Sequence, residues 1–178
     1  MAKSHAIRTR RLLISPFEEG HLTARYVGWL NDPEVVRFSE QRHLKHTLQS
    51  CHAYWQSFSE SPNYFWAVEE VEGTLGHIGN MNAYVNQKNS VADVGILIGE
   101  KKAWNKGYGL EAFSAVCRFL LQELGLRKVT AGTMALNLPM LRIMERRGMK
   151  EDGRRKRHYL FNGKEVDVIH MALFKDEG

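Results

Sequence analysis

Residues 104–112 read Trp104-Asn105-Lys106-Gly107-Tyr108-Gly109-Leu110-Glu111-Ala112, and this stretch decides the fold because its two glycines open a helix. Leu110, Phe113, Val116, Cys117, Leu120 and Leu124 then recur at three- and four-residue spacing, and Gly125 stops the run. Upstream, Val91, Ala92, Val94, Ile96, Leu97 and Ile98 form a short apolar strand interrupted by Gly95. The local order is strand, glycine turn, helix. Gly107 and Gly109 accept backbone angles that a side chain forbids, so successive N–H groups converge at the positive end of the helix dipole. A pyrophosphate fits there without a lysine, although glycines at a helix start also serve as plain turn formers.

Working outward, Leu12 to Ile14 reads as a strand and His21 to Trp29 as a helical stretch. A helix is expected to restart at Asp32-Pro33-Glu34, with Asp32 as cap, and another to run from Thr47 to about Phe58. Tyr64 to Val71 and Gly76 to Val85 are rich in aromatic and branched residues and flank Glu72-Gly73-Thr74, which predicts a hairpin. After the long helix come a strand at Lys128 to Ala131 and a helix from Pro139 to Arg147 closed by Gly148. The chain closes on a hairpin, Arg157 to Phe161 and Val166 to Phe174, around Asn162-Gly163. The whole is a mixed α/β pattern with one central sheet. A dinucleotide fold wants alternating strand and helix with Gly-x-Gly-x-x-Gly after the first strand, and this order excludes it.

The chain has 178 residues, 43% hydrophobic and 25% charged, the balance of one globular domain with a full core. No apolar stretch reaches bilayer-spanning length, and Met1-Ala2-Lys3-Ser4-His5-Ala6 lacks the apolar core of a signal peptide, so a cytoplasmic protein is expected. Cys51 and Cys117 are the only cysteines, and neither has metal-ligand spacing. No metal is expected. The formal charge of +5 gathers at Arg8, Arg10 and Arg11 and at Arg154 to Arg157. Without a helix-turn-helix, zinc or aromatic-plus-basic strand signature, that charge reads as a solvated face or as attraction for a small anion, with nucleic acid unlikely as a partner.

With this element order, Trp104 to Ala112 resembles the acetyl-CoA-binding loop of the GNAT superfamily of acetyltransferases, and Asn137 with Arg146-Arg147-Gly148-Met149 is similar to its later Asn…Lys-x-Gly-Phe segment. Trp29-Leu30-Asn31-Asp32-Pro33-Glu34-Val35 and Asn162-Gly163…Val166-Asp167 resemble the branch with ribosomal-protein alanine N-acetyltransferases and amino-sugar N-acetyltransferases. The resemblance implies a single N-acetyltransferase domain over 1–178, of α/β (α+β) type, with a mixed, mostly antiparallel splayed sheet flanked by helices. It implies acetyl-CoA as cosubstrate, its pantetheine arm paired with backbone groups of Leu97 and Ile98. The loop Asn105, Lys106, Gly107, Tyr108, Gly109 and Leu110 would take the pyrophosphate, with Asn137 and Arg142 alongside. Trp104 departs from the Gln or Arg usual at its position; a backbone cradle does not require that side chain.

Acetyl transfer needs a neutral amine, donors for the developing oxyanion, a proton acceptor and a stabilised leaving thiolate. The family's usual proton donors, a serine three residues after the Asn or a tyrosine seven after it, are Met140 and Met144 here. A general acid is worth ~10²–10⁴ in rate, yet a thiol of pKa about 8.5 leaves readily, so its loss is tolerable. Tyr108, Tyr84 or water are substitutes. His77 and Asp93 are the candidate bases, Asn82 faces the same cleft, and His158 and Tyr159 are candidates for the acceptor side. The expected acceptor is a primary amine of a small molecule, with a nucleotide-linked amino sugar as the favoured case and Arg10 or Arg154 meeting the nucleotide. Acetylation of a protein N-terminus is the enzymatic alternative; a CoA-sensing or nucleic-acid-binding module is the non-enzymatic one. No membrane partner is expected, and a homodimer stays open.

Overall fold

A computed structural model describes residues 5–177; Met1 to Ser4, the larger part of the segment read for a signal peptide, lie outside the described residues. Eight strands form one sheet in the order β1-β2-β3-β4-β5-β6-β8-β7. In chain order these are β1 (Ile7–Arg8), β2 (Leu12–Pro16), β3 (Tyr64–Glu70), β4 (His77–Asn86), β5 (Val91–Ile98), β6 (Lys128–Met134), β7 (Lys150–Phe161) and β8 (Lys164–Phe174). Among the described residues four α-helices flank them: α1 (Ala24–Leu30), α2 (Leu48–Gln56), α3 (Tyr108–Arg118) and α4 (Leu138–Arg146). Every neighbouring pair is antiparallel except β5 and β6, which run parallel. Among the described residues no helix is long and apolar enough to cross a membrane.

The two faces of the sheet are covered differently. Ala92, Val94 and Ile96 of β5 and Met81 and Ala83 of β4 point to one face, against Ala112, Phe113, Val116 and Leu120 of the α3 segment and Met144 of α4. Phe113, Val116 and Leu120 are fully buried, and burial of each large apolar side chain stabilises by about 1.5–3 kcal/mol. On the opposite face Phe17, Tyr26, Trp29, Cys51 and Ala67 form a smaller aromatic core beneath α1 and α2.

The helices begin where local chemistry places them. Thr47 caps α2 by accepting from Ser50 N, and Thr23 caps α1 by accepting from Tyr26 N. The glycine-opened helix departs from regularity at its end: Phe119–Glu123 widens into a π-helical turn before Gly125 closes it at φ +70°.

Two expectations are corrected, and one strand has no counterpart among them. The helix expected at Asp32-Pro33-Glu34 is a run of turns instead. Asp32 does accept from Glu34 N, but Phe38 is drawn onto Phe161 of the terminal hairpin, ring centroids 5.5 Å apart, and the chain leaves the helical path. The strand expected from Arg157 begins at Lys150: Lys150 to His158 is exposed and has no apolar side chain to set a period, and its pairing shifts between Glu151 and Gly153 and between Arg155 and Tyr159. β1 is too short to leave a periodic signal.

Candidate active site

The parallel pairing of β5 with β6 stops early. Val91↔Lys128, Ala92↔Val129 and Asp93↔Thr130 are the only pairs, although β5 continues to Ile98 and β6 to Met134. Past Asp93 and Thr130 the sheet is therefore open, and the unpaired backbone of β5 faces the gap. The register fixes which residues do so. Gly99 N donates to Ile78 O on the β4 side, so alternate residues, Leu97 and Gly95, turn their peptide groups toward β4 while Ile96 and Ile98 aim theirs into the gap. A Cβ on Gly79 would lie 2.3 Å from the Leu97 carbonyl oxygen, which shows how closely Leu97 is engaged with β4. Of the pair expected to present backbone groups, Ile98 has its peptide groups on the gap side, its carbonyl accepting from Trp104 Nε1, and Leu97 has its toward β4; Ile96 shares the gap side with Ile98. Only strand parity, counted from the hairpin register, could have found it.

The glycine loop lies beyond the end of β5. Trp104 Nε1 donates to the Ile98 carbonyl at 2.8 Å, so the indole ties the loop to the strand. Asn105 and Gly107 both have positive φ, 60° and 81°, and Gly107 is the residue preceding the first turn of α3. Asn tolerates this region better than most side chains, and Gly without strain. Tyr108, Gly109 and Leu110 are the first residues of the helix, and among the described residues no well-aligned intramolecular bond engages the amides from Asn105 to Leu110. These N–H groups lie at the positive end of the helix, where a multiply charged anion is favoured. Gly109 packs closely: a Cβ there would sit 3.0 Å from Ile143 Cδ1 and 3.8 Å from Ile98 Cγ1.

The side chain of Tyr108 faces away from the gap. Its hydroxyl donates to Glu70 at the end of β3, and the Arg11 guanidinium lies 4.4 Å over its ring. Hydrogen bonding to Glu70, then burial, raise the Tyr108 pKa. The phenol is thus bound to a carboxylate two strands from the opening. Asn137 caps α4, its Oδ1 accepting from Met140 N at 3.3 Å while its Nδ2 donates to Thr133 Oγ1 at 2.9 Å. Arg142 is exposed on α4. Met140 and Met144 pack against the core, which accounts for apolar residues at both positions.

Asp93 stands at the last β5–β6 pair, where its Oδ2 accepts from Thr130 Oγ1 at 2.6 Å. Desolvation by the surrounding protein raises its pKa, against the Thr130 hydrogen bond and the nearby His170, which lower it. On the same face, Asn82 covers Gly95, where a Cβ would lie 2.5 Å from Asn82 Oδ1, and the hydroxyls of Tyr84 and Tyr54 are 3.0 Å apart. Asp93, Asn82 and Tyr84 therefore share one polar surface beside the gap. His77 is elsewhere, at the start of β4, ringed by Phe17, His21, Tyr26 and Trp29 at centroid distances of 4.9–6.3 Å. Its Nε2 bonds the Gly79 carbonyl at 3.0 Å. Burial first, then repulsion from His21, push its pKa down to about 4, so the ring is neutral near pH 7. His158 is exposed on the irregular part of β7, 3.5 Å from Arg155 Nη1, and Tyr159 pairs with Val166.

Residues 11–150 match the Acetyltransferase (GNAT) domain family. The chain belongs to the GNAT acetyltransferase family. It is an acetyl-CoA-dependent N-acetyltransferase. The GNAT chain is 24% identical over 172 residues to an N-acetyltransferase of Bacillus subtilis, YnaD, covering 96% of this chain and 98% of that one. Its fold is similar to that of a ribosomal L7/L12 α-N-protein acetyltransferase, RimL, in complex with coenzyme A (TM-score 0.84, 14% identity, 98% of this chain and 100% of the other). It is also similar to the Vibrio cholerae spermidine N-acetyltransferase in complex with CoA and spermine (TM-score 0.83, 17% identity, 95% and 98% covered). The mixed, mostly antiparallel sheet expected from the sequence is the one these neighbours share. For this GNAT chain, the opened sheet and the glycine loop lie end to end, as a donor with a flexible arm and a charged diphosphate requires.

Proposed function

We propose that the chain, working as a single domain, transfers the acetyl group of acetyl-CoA to a primary amine of a small molecule received beside Asp93. One observation carries this reading: the last pair before the sheet opens is Asp93 with Thr130, which sets a carboxylate at the apex of the gap. The amides from Asn105 to Leu110 hold the diphosphate, and the pantetheine arm lies along Ile96 and Ile98, with Asn137 and Arg142 on its α4 side. When bound, acetyl-CoA supplies the thioester whose carbonyl carbon the amine attacks. The Asp93 carboxylate receives an ammonium by charge and accepts the proton that nitrogen must lose; its raised pKa makes it a better base than an ordinary carboxylate. An N–H of Ile96 or Ile98 serves the developing oxyanion.

His77 fits the role of base less well. Its ring is one of low basicity, bound to Gly79 within an aromatic cluster. Tyr108 serves better as a staple for the loop than as a proton donor, because its hydroxyl is engaged with Glu70. The remaining donors for the leaving thiolate are water and Tyr84, which lies beside the gap with its hydroxyl 3.0 Å from that of Tyr54.

The acceptor surface favours a cation. Arg154, offered as a partner for a nucleotide, is paired instead with Glu151 at 3.0 Å and Asp167 at 3.3 Å. Arg10 lines a cavity of about 210 Å³ beyond the loop together with Arg11, Glu70 and Glu72, where the two signs balance. A small cationic amine, of the class to which spermidine belongs, therefore suits Asp93 better than a nucleotide-linked amino sugar. The test is release of free thiol from acetyl-CoA with a panel of polyamine, amino sugar, nucleotide-linked amino sugar and peptide N-terminus. Turnover with the polyamine or another cationic small amine is expected; turnover with the nucleotide-linked sugar or the peptide alone would overturn the acceptor assignment.

A further inference from the structure

Arg11 lies in the turn between β1 and β2, far from the glycine loop in sequence, yet it packs against that loop. Its Nη1 donates to the Lys106 carbonyl at 2.8 Å, its guanidinium covers the Tyr108 ring at 4.4 Å, and its Nη2 lies 3.4 Å from where a Cβ of Gly107 would be. The other edge of the guanidinium is fixed. Arg11 Nε donates to Glu111 Oε2 at 2.7 Å, while Glu111 Oε1 accepts from Arg11 N at 2.9 Å and Thr9 Oγ1 at 2.7 Å. Glu111 is itself in the first turn of α3, so arginine, glutamate and loop form one closed unit.

The consequence follows from peptide geometry. Among the described residues every peptide bond is trans, and in a trans peptide the C=O and the following N–H point in opposite directions. An arginine that draws the Lys106 carbonyl outward turns the Gly107 N–H the other way. We propose that Arg11 is a positioning residue for donor binding: without touching the diphosphate, it holds the 106–107 peptide so that the Gly107 amide faces it. This rests on the loop being the diphosphate site. Lysine cannot replace it, because one ammonium cannot bond Glu111 and Lys106 O in the same planar fork.

The experiment compares two donors on the full chain: acetyl-CoA, and acetyl-pantetheine, which lacks the diphosphate and nucleotide. The readout is the ratio of their kcat/KM values with one amine. In the wild type the ratio is expected to be high. In Arg11→Met and Arg11→Lys it is expected to fall about tenfold, the loss of one oriented donor to a charged group, mostly through KM for acetyl-CoA. A fall of equal size with both donors would mark a general loss of structure and overturn the proposal, as would an unchanged ratio. A wild-type ratio near one would remove the diphosphate site itself; a high wild-type ratio untouched by Arg11→Met removes the Arg11 assignment alone. If the methionine variant does not fold, Glu111→Gln loosens the same guanidinium, and a ratio that stays at the wild-type value would likewise overturn the proposal.

Discussion

Trp104 donates its indole N–H to the carbonyl of Ile98 across 2.8 Å, and this one bond links the end of the opened strand to the loop that begins the next helix. The residue that departs from the family's usual Gln or Arg thus has a task that needs a donor and a large flat ring. Trp104→Phe keeps the bulk and removes the donor. The variant is expected to lose about 1 kcal/mol of stability and to bind acetyl-CoA about fivefold more weakly, measured by denaturant titration and calorimetry. Wild-type affinity in the variant would show that the indole only fills space.

Gly107 holds φ at +81°, a region that costs an L-residue about 1–2 kcal/mol and a branched one more. Gly107→Val should therefore either tilt the loop or strain it, and acetyl-CoA affinity is expected to fall at least about tenfold. Gly107→Asn, which tolerates positive φ better, should retain most of it. Equal binding by the valine and asparagine variants would contradict the cradle.

At the apex of the gap, Asp93→Asn preserves shape and removes the charge. A drop in kcat of about 10²–10⁴ is expected, with acetyl-CoA affinity unchanged. Because burial raises the Asp93 pKa and the base acts when deprotonated, the wild-type rate should rise with pH through a midpoint above the ordinary carboxylate range. An asparagine variant that keeps the same acid limb would exclude Asp93.

His77 predicts how stability depends on pH. Its pKa is about 4 in the folded chain against an ordinary 6.5, so between those values the unfolded chain binds the extra proton and stability rises with pH. The stabilisation is complete above about pH 6.5 and is lost as pH falls toward 4, a difference of about 3 kcal/mol from this group. His77→Gln should flatten that part of the curve in urea titrations at pH 4 to 7. An unaltered slope would mean that the ring is not held neutral by its aromatic neighbours.

The glycine loop, the helix after it and the order of strands were legible in the sequence because each rests on local rules. Gly107 supplies a left-handed angle, Phe113, Val116 and Leu120 recur at helical spacing, and Asn162-Gly163 makes the tight turn at positive φ on both residues. The resemblance to the GNAT family rested on the same residues. Other features were hidden for a physical reason. Ile96 replaces Leu97 at the gap because backbone direction alternates from a register set by β4, and no property of either side chain announces it. Arg11 and Glu70 reach Lys106 and Tyr108 from a turn and a strand distant along the chain, so nothing in residues 104–112 points to them. Where a helix is expected after Asp32 the chain forms turns, and Phe38 there stacks on Phe161, more than a hundred residues away.

By itself, then, the sequence determined where the glycine loop, the helix after it and the Asn162-Gly163 turn lie, since capping, periodicity and glycine conformation act within a few residues. The tertiary structure decided which groups meet: Asp93 with Thr130 at the opening, Trp104 with Ile98, Arg11 with the glycine loop. Pairing between strands and the burial of side chains across the sheet settle those encounters, and both depend on distances that no local pattern encodes.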